Sequence, residues 1–436
     1  MTPLNFFLVT SEKGRNGGDM GAHRLKSGPI AKLLAQGVGN SGIAQVLRTV
    51  RKHLGMDVAF VSHFRETDRV LEHVDADGVA PIQQGQTIPL QDGYCLKVVR
   101  GELPALIPDT SAVPEAMALP ATRAIPIGAH LGVPIELSDG SVYGTLCCFS
   151  REPNLTLGER DLRLMRALGE VLAARIDEEQ EVERLKRRAR LEIRQAVDLG
   201  APRIVYQPIY SLADGALVGA ECLSRFDVEP RRTPDVWFDL AHEADVGLDL
   251  ELLAIEKALG ALEKVPHPLW LAVNCSPEVI LSGRLHPVLE RVDLSRVVLE
   301  ITEHASVPDY QAVQDALAPF RQRGARLAID DAGAGYASMR HILSLKADVI
   351  KLDMSLTRDI DSDPSRRALA KGLIAFAREV GSRITAEGVE TESELATLRA
   401  IGVDKAQGYY LSRPCPLEDL MASARCASAA FLRAAG

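Results

Sequence analysis

The second half of the chain contains eight short apolar runs that each close on a polar residue, at Gln207, Glu221, Asn274, Glu300, Asp330, Lys351, Glu387 and Gln407. Each run reads as a strand followed by a loop and an amphipathic helix, and Gly324, Gly381 and Gly402 stand where helix C-caps are expected. Repeated units of this kind close into a TIM-type α/β barrel, which gathers functional side chains at the carboxyl ends of its strands. The gathered set is acids, amides and one lysine, a chemistry suited to divalent cations and a phosphate ester.

The first half has a different pattern. From Pro29 to Met56 apolar residues fall at helical spacings, interrupted by the Gly37 to Gly42 turn, so two helices are expected there. Strand signals follow at Val58 to Phe64, in a stretch ending at Val74, and in the pair Leu131 to Leu137 and Val142 to Phe149, joined through Ser138-Asp139-Gly140 as a hairpin. Helices flanking an antiparallel sheet make an α+β domain. A long helix is expected from Leu157 to about Val197, with Leu164, Leu168, Val171, Leu172, Val182, Leu185 and Ala189 at three- and four-residue steps. Such a stripe reads as a seam with a second copy of the chain, against the alternative of a solvated spacer. The expected organisation is a flexible tail over 1–27, a first domain over 28–178, a linker helix over 179–198 and the barrel over 199–436.

A length of 436 residues supports two or three domains, each with its own core. The formal charge of −9 speaks against a nucleic-acid polymer as partner, because neutralising many phosphates takes a surplus of lysine and arginine on one face. Seven cysteines without a CxxC pair suggest neither a secreted disulfide framework nor a zinc knuckle. The apolar stretch Leu4 to Thr10 has no basic start or small-residue cleavage site, and no later run reaches the length of a membrane span. A cytoplasmic protein is expected.

At the barrel mouth, Glu221, Asn274, Glu300 and Asp330 would supply oxygen ligands to a hard cation such as magnesium, which keeps several waters and needs only a few carboxylates. The adjacent acid Asp331 extends the set to a second cation, and two cations side by side can stabilise both the attacking and the departing oxygen of a phosphoryl displacement. Lys351 is the one cation expected inside this acidic mouth, where it would hold a water or neutralise developing charge. Glu387 is placed to take a proton from the attacking water, and Asp353, Glu303 and Glu390 to orient loops or ligands.

The runs Tyr206-Gln207-Pro208-Ile209, Glu221-Cys222-Leu223, Asn274-Cys275-Ser276, Glu300-Ile301-Thr302-Glu303, Asp330-Asp331-Ala332-Gly333-Ala334-Gly335-Tyr336, Lys351-Leu352-Asp353, Ala386-Glu387-Gly388-Val389-Glu390 and Gln407-Gly408-Tyr409 resemble, in order and spacing, those of EAL domains over roughly residues 190 to 430. That family hydrolyses cyclic di-GMP to linear pGpG. The resemblance implies that Glu221, Asn274, Glu300, Asp330 and Asp331 bind Mg²⁺ or Mn²⁺, two ions in all. It further implies that Lys351 lies near the attacking water, that Glu387 is the general base, that Gln407 supports them and that Glu303 fixes the loop after Asp331. Gln207 and Arg225 match positions near the substrate, and Glu390 belongs with them. Where the family has alanine and a phenylalanine-bearing loop, this chain has Cys222, Ala332 and Ala334. The implied protein is a homodimeric phosphodiesterase; the alternative is a non-catalytic receptor for the same nucleotide, and an aldolase using Lys351 as a Schiff-base nucleophile is a weaker third reading.

The first half resembles a GAF domain over about residues 28 to 178, through Asp57-Val58-Ala59-Phe60-Val61-Ser62, Asp92-Gly93-Tyr94-Cys95, Pro126-Ile127-Gly128-Ala129-His130 and Tyr143-Gly144-Thr145-Leu146-Cys147-Cys148. The resemblance implies a sensor or dimerisation module. Cys95 is followed by Leu96 and not by the histidine of bilin attachment motifs, so it is expected to be a packed thiol. His63, His73 and His130 have no partner in sequence that would make them haem ligands. The ligand of this domain is not readable from its residues.

Overall fold

The computed structural model describes residues 40–302, 305–332 and 337–434. The expected tail over 1–27 and the helix expected between Pro29 and the glycine turn lie outside the described residues. The chain divides into two compact units between Val182 and Glu183.

The first unit is built on strands β1 (Val58–Phe64), β2 (Asp68–Ala76), β3 (Thr87–Pro89), β4 (Leu106–Ile107), β5 (Ala129–Glu136) and β6 (Val142–Ser150). They form one antiparallel sheet in the order β3-β2-β1-β6-β5-β4. Alternation along each strand divides its side chains between two cores. Ala59, Val61, Leu146 and Cys148 face the helix Asn40–Leu54 and the start of the long helix, while Phe60, Cys147 and Phe149 face the other side with Leu71, Tyr94 and Ile107. The neighbouring thiols of Cys147 and Cys148 therefore point in opposite directions.

The long helix runs from Glu159 to Asp198. Its stripe has a different use from the one expected: Leu168 and Leu172 are buried in the core of the first unit and Leu164 packs against it. Only the later members, Val182 and Leu185, joined by Leu191, are exposed.

In the second unit β7 (Arg203–Ser211), β8 (Leu217–Arg225), β9 (Trp270–Asn274), β10 (Val297–Thr302), β11 (Arg326–Ala332), β12 (Val349–Leu352), β13 (Arg383–Ala386) and β14 (Lys405–Ala406) close into an eight-stranded barrel. One expectation needs correcting. β7 is antiparallel to both of its neighbours and joins β8 as a hairpin, so no helix follows it. The short connection between Ser211 and Leu217 cannot hold the crossover that a parallel pair requires. Gln207 thus lies within β7 and not at its end. Apolar spacing over Asp235 to Leu262 predicts one helix, but the structure has two, Pro234–Glu243 and Gly247–Leu259, separated where Asp245 takes a left-handed conformation at φ 60°. No described helix is long and apolar enough to cross a membrane.

Inside the barrel Ile209, Trp270, Ala272, Val298, Ala328 and Val349 form an apolar floor. Gly219 belongs to the same layer, and a Cβ there would lie 2.4 Å from the Trp270 indole, so the ring fills the barrel only because this residue has no side chain. Side chains two positions apart on a strand share a face. The layer above the floor is therefore fixed by counting: Glu221, Asn274, Glu300, Asp330 and Lys351 each stand two residues beyond a floor residue, and Gln207, on the reversed strand, two before one.

Replacing Gly219 with valine should force the indole off its rotamer and cost about 1–3 kcal/mol. Urea unfolding of the full chain measures this, and an unchanged midpoint for the barrel transition would show that the floor can repack.

Candidate active site

At the centre of the polar layer the Lys351 ammonium, 1% exposed, lies 2.8 Å from Glu387 Oε1, 3.0 Å from Glu300 Oε2, 3.0 Å from Asp330 Oδ2 and 3.2 Å from Glu221 Oε2. Four strand positions aim carboxylates at one cation. Burial alone would lower the lysine pKa, but Asp330, Glu221, Glu300 and Glu387 together outweigh it and hold the ammonium well above its ordinary value. Burial likewise drives the Glu300 and Glu387 carboxyls well above the usual carboxylate range; Lys351 pulls both back, and the neighbouring acids push them up again. One positive charge cannot neutralise four negative ones. The excess must be met by protons or by added cations.

The acids fall into two groups that share Asp330. Oxygens of Glu221, Glu300 and Asp330 lie within 4.8 Å of one another, and so do oxygens of Asp330, Asp331 and Glu387. In a regular strand Asp330 and Asp331 would face opposite sides. Here the pairing of β11 with β12 slips between Ile329 and Ala332, and Asp331 has φ 58°. This left-handed bulge brings the second carboxylate to the same mouth as the first, at a backbone cost that Asp tolerates better than most residues. The Asp331 N–H donates to Asp330 Oδ1 at 2.9 Å.

Gln407 follows β14 and is buried. Its Nε2 donates to Glu221 Oε2 at 2.5 Å and to Glu387 Oε1 at 2.8 Å, while its own Oε1 is buried without a partner. All the convergent donors are oxygens, the ligand type that hard divalent cations take. The residues fit one or two Mg²⁺- or Mn²⁺-like ions.

The remaining expected residues are distributed around this cluster. Gln207 is buried opposite Glu221, and Asn274 is exposed beside Glu300 on the adjoining strand. Arg225 ends β8 half-buried, with its Nη1 donating to the Ser224 carbonyl at 2.8 Å. Glu390 does not join the carboxylates; it is paired with Arg358 at 2.6 Å, both side chains 46% exposed. Asp353 caps the helix Met354–Thr357 through the Ser355 N–H at 2.8 Å. Glu303 and Ala334 lie outside the described residues. Cys222 and Ala332 are packed in the barrel core.

Thr385 was not among the expected residues. It pairs in register with Lys351, so the two share a face, and its buried Oγ1 has no partner. The available signal was a hydroxyl in the otherwise apolar part of a four-residue strand.

Lys351→Met should destabilise the metal-free chain by about 3–5 kcal/mol at pH 7, because the acids lose their buried counter-charge. The folded lysine pKa is raised, so titration of the lysine itself leaves its stabilisation intact below the unfolded value of about 10.4 and removes it as pH rises through the folded value, while the carboxyls facing it titrate separately at lower pH. Denaturant unfolding at pH 7 and pH 5 measures the effect, which should shrink at pH 5 as Glu300 and Glu387, whose carboxyls are held well above the usual range, take up protons. A loss under about 1 kcal/mol at pH 7 would contradict this reading.

Comparison with known proteins follows the same division of the chain. The EAL domain family model matches residues 190–414 and the GAF domain model residues 42–176. The chain is 33% identical over 241 residues to the cyclic di-GMP phosphodiesterase NbdA of Pseudomonas aeruginosa, covering 52% of this chain and 31% of that protein. It is 28% identical over 341 residues to an uncharacterized signaling protein of Caulobacter vibrioides, covering 74% of this chain and 41% of the other. The chain thus spans less than half the length of these curated relatives. An EAL enzyme solved with cAMP and cyclic di-GMP bound superimposes with a TM-score of 0.53 at 18% identity, over 85% of this chain and 93% of that one, a likeness of fold.

Proposed function

The chain belongs to the EAL-domain family, and from that premise we propose that it hydrolyses cyclic di-GMP to linear pGpG with the help of two divalent cations, Mg²⁺ or Mn²⁺. The observation that carries the reading is the pair of oxygen-ligand sets sharing Asp330, with Lys351 between them. Glu221, Asn274, Glu300, Asp330 and Asp331 would hold the ions. When bound, these supply positive charge to the phosphodiester and lower the pKa of water.

This chain's own residues provide the rest. Glu387 accepts the proton of the attacking water; its carboxylate is kept in place by Lys351 and by the Gln407 amide. The water oxygen forms the new bond to phosphorus, the bond to the ribose oxygen breaks, and that oxygen leaves and takes up a proton from solvent, to which Glu387 returns the one it accepted. Lys351 offsets negative charge as it builds, without a change in its own protonation. Gln207 and Arg225 bind the nucleotide, the guanidinium facing its phosphate. Glu303 fixes the loop beyond Asp331. Glu390 orients the neighbouring loop through Arg358 and so acts on substrate indirectly.

At the level of the whole chain, the reading is a cytoplasmic signalling enzyme with a GAF-type sensor over 28–178, a linker helix over 179–198 and the catalytic barrel over 199–436. The exposed Val182 and Leu185 support a homodimer formed along the helix. The GAF-type domain regulates turnover.

Incubation with cyclic di-GMP and Mg²⁺ or Mn²⁺, followed by chromatography, should give pGpG that disappears on adding chelator. Binding of the nucleotide without product would favour the receptor alternative. Glu387→Gln should lower turnover by about 10²–10⁴-fold while nucleotide affinity stays within a few-fold, since the group acts on water. Undiminished turnover would remove Glu387 from the role of base. Glu221→Ala should weaken metal binding and turnover together, and an unaltered metal titration would remove it from the ligand set.

A further inference from the structure

The first unit contains a cavity of about 230 Å³ between the sheet and the short helices and loops that cover it, far in sequence from the carboxylate cluster. Its walls are mostly apolar and include Phe60, Ile82, Ile88 and Ile127. Into this lining β2 places Arg69, two residues before Leu71 and so on the same inward face. Arg69 is 5% exposed, and its Nε and Nη1 are buried without hydrogen-bond partners. A buried cation without a partner is costly, and the cost is recovered when an anion meets it.

The placement is specific. A Cβ on Gly93 would lie 2.0 Å from Arg69 Nη2 and 2.6 Å from its Cζ, so the guanidinium occupies a notch that exists only because residue 93 is glycine. His130, 2% exposed, lines the same cavity, with neither ring nitrogen hydrogen-bonded, and stacks on Tyr94 at 4.4 Å between centroids. Burial, and to a lesser degree Arg69, push its pKa down to about 3. The imidazole is therefore neutral, and Arg69 is the single cation among the described residues that line the cavity, with Asp92 at its edge.

We propose that this cavity binds a small aromatic or aliphatic monocarboxylate, its carboxylate held by Arg69 and its apolar body lying against the sheet. A planar guanidinium matches a carboxylate through two parallel hydrogen bonds. The neutral His130 can donate a further one or accept from a hydroxyl on the ligand. One cation in a lining that also holds the acidic Asp92 suits a single negative charge and disfavours a phosphate dianion. The volume lies below the ~300–1,000 Å³ of pockets for drug-sized molecules, so the occupant is about the size of one ring with its acid group.

Isothermal titration of the full chain with benzoate, phenylacetate and hexanoate, each beside its own amide, and with nitrate and inorganic phosphate, tests the proposal. At least one acid should bind ten-fold or more tightly than its amide, and Arg69→Met should bring that ratio close to one. Gly93→Ala should weaken the acid through displacement of the guanidinium. The acid-to-amide ratio in the unaltered chain stands without either variant, so a variant that fails to fold leaves the test intact. Acids and amides binding alike, no acid binding, binding of the inorganic anions alone, or a preference that survives in a folded Arg69→Met chain would each overturn the proposal. The readout is binding and not cyclic di-GMP turnover, so its failure is separate from failure of the hydrolase reading.

Discussion

The contact between one buried ammonium and four carboxylates organises the barrel mouth. Lys351 lies within 3.2 Å of Glu221, Glu300, Asp330 and Glu387, which reach it from four positions around the ring. None of these acids could be buried alone without giving up its charge. The lysine lets them converge, yet supplies only a quarter of the opposite charge they need. That shortfall has to be met by protons or by cations, and donors that are all oxygen atoms suit hard cations. Its geometry is inherited from the apolar floor below, where each strand's register decides which residue stands two steps higher. The floor in turn depends on the Trp270 ring and the gap left for it at Gly219.

The bulge at Asp331 shows how one strand can turn two adjacent carboxylates to the same mouth. Pleating alone would send Asp331 outward, toward the helices. The left-handed residue reverses this near the end of the strand, and the pairing with β12 slips there, between Ile329 and Ala332. Gln407 completes the arrangement from the far side of the barrel, linking Glu221 to Glu387 through one amide. The acids are therefore held by a network whose members come from widely separated parts of the chain.

Much of this was legible in the residues. Single polar residues closing short apolar runs marked positions at or near strand ends for Asn274, Glu300, Asp330, Lys351, Glu387 and Gln407, while Gln207 and Glu221 lie in mid-strand; Glu221, Glu300, Asp330 and Lys351 stood out because they occupy positions that a core would otherwise fill with valine or leucine. The reversed direction of β7 was not legible, since a short strand has the same pattern in either direction and only its hairpin partner decides. The division of the helical segment after β8 at Asp245 was hidden because apolar spacing continued across it. The stripe on the long helix was misread in part: Leu168 and Leu172 have the spacing of a two-chain seam, but the sheet of the first unit covers them. Thr385 escaped notice because a lone threonine in a strand is ordinary, and only its register with Lys351 gives it meaning. Arg69 escaped for a related reason, its inward side being set by alternation with Leu71 and not by its own chemistry.

The proposed hydrolysis requires the carboxylate cluster to hold two cations. Anomalous scattering from crystals of the chain grown with Mn²⁺ tests it directly. The account predicts two peaks sharing Asp330 as a ligand, one toward Glu221 and Glu300 and the other toward Asp331 and Glu387. A well-ordered mouth with no peak, or with manganese bound only at surface acids while Lys351 keeps all four carboxylates, would contradict it.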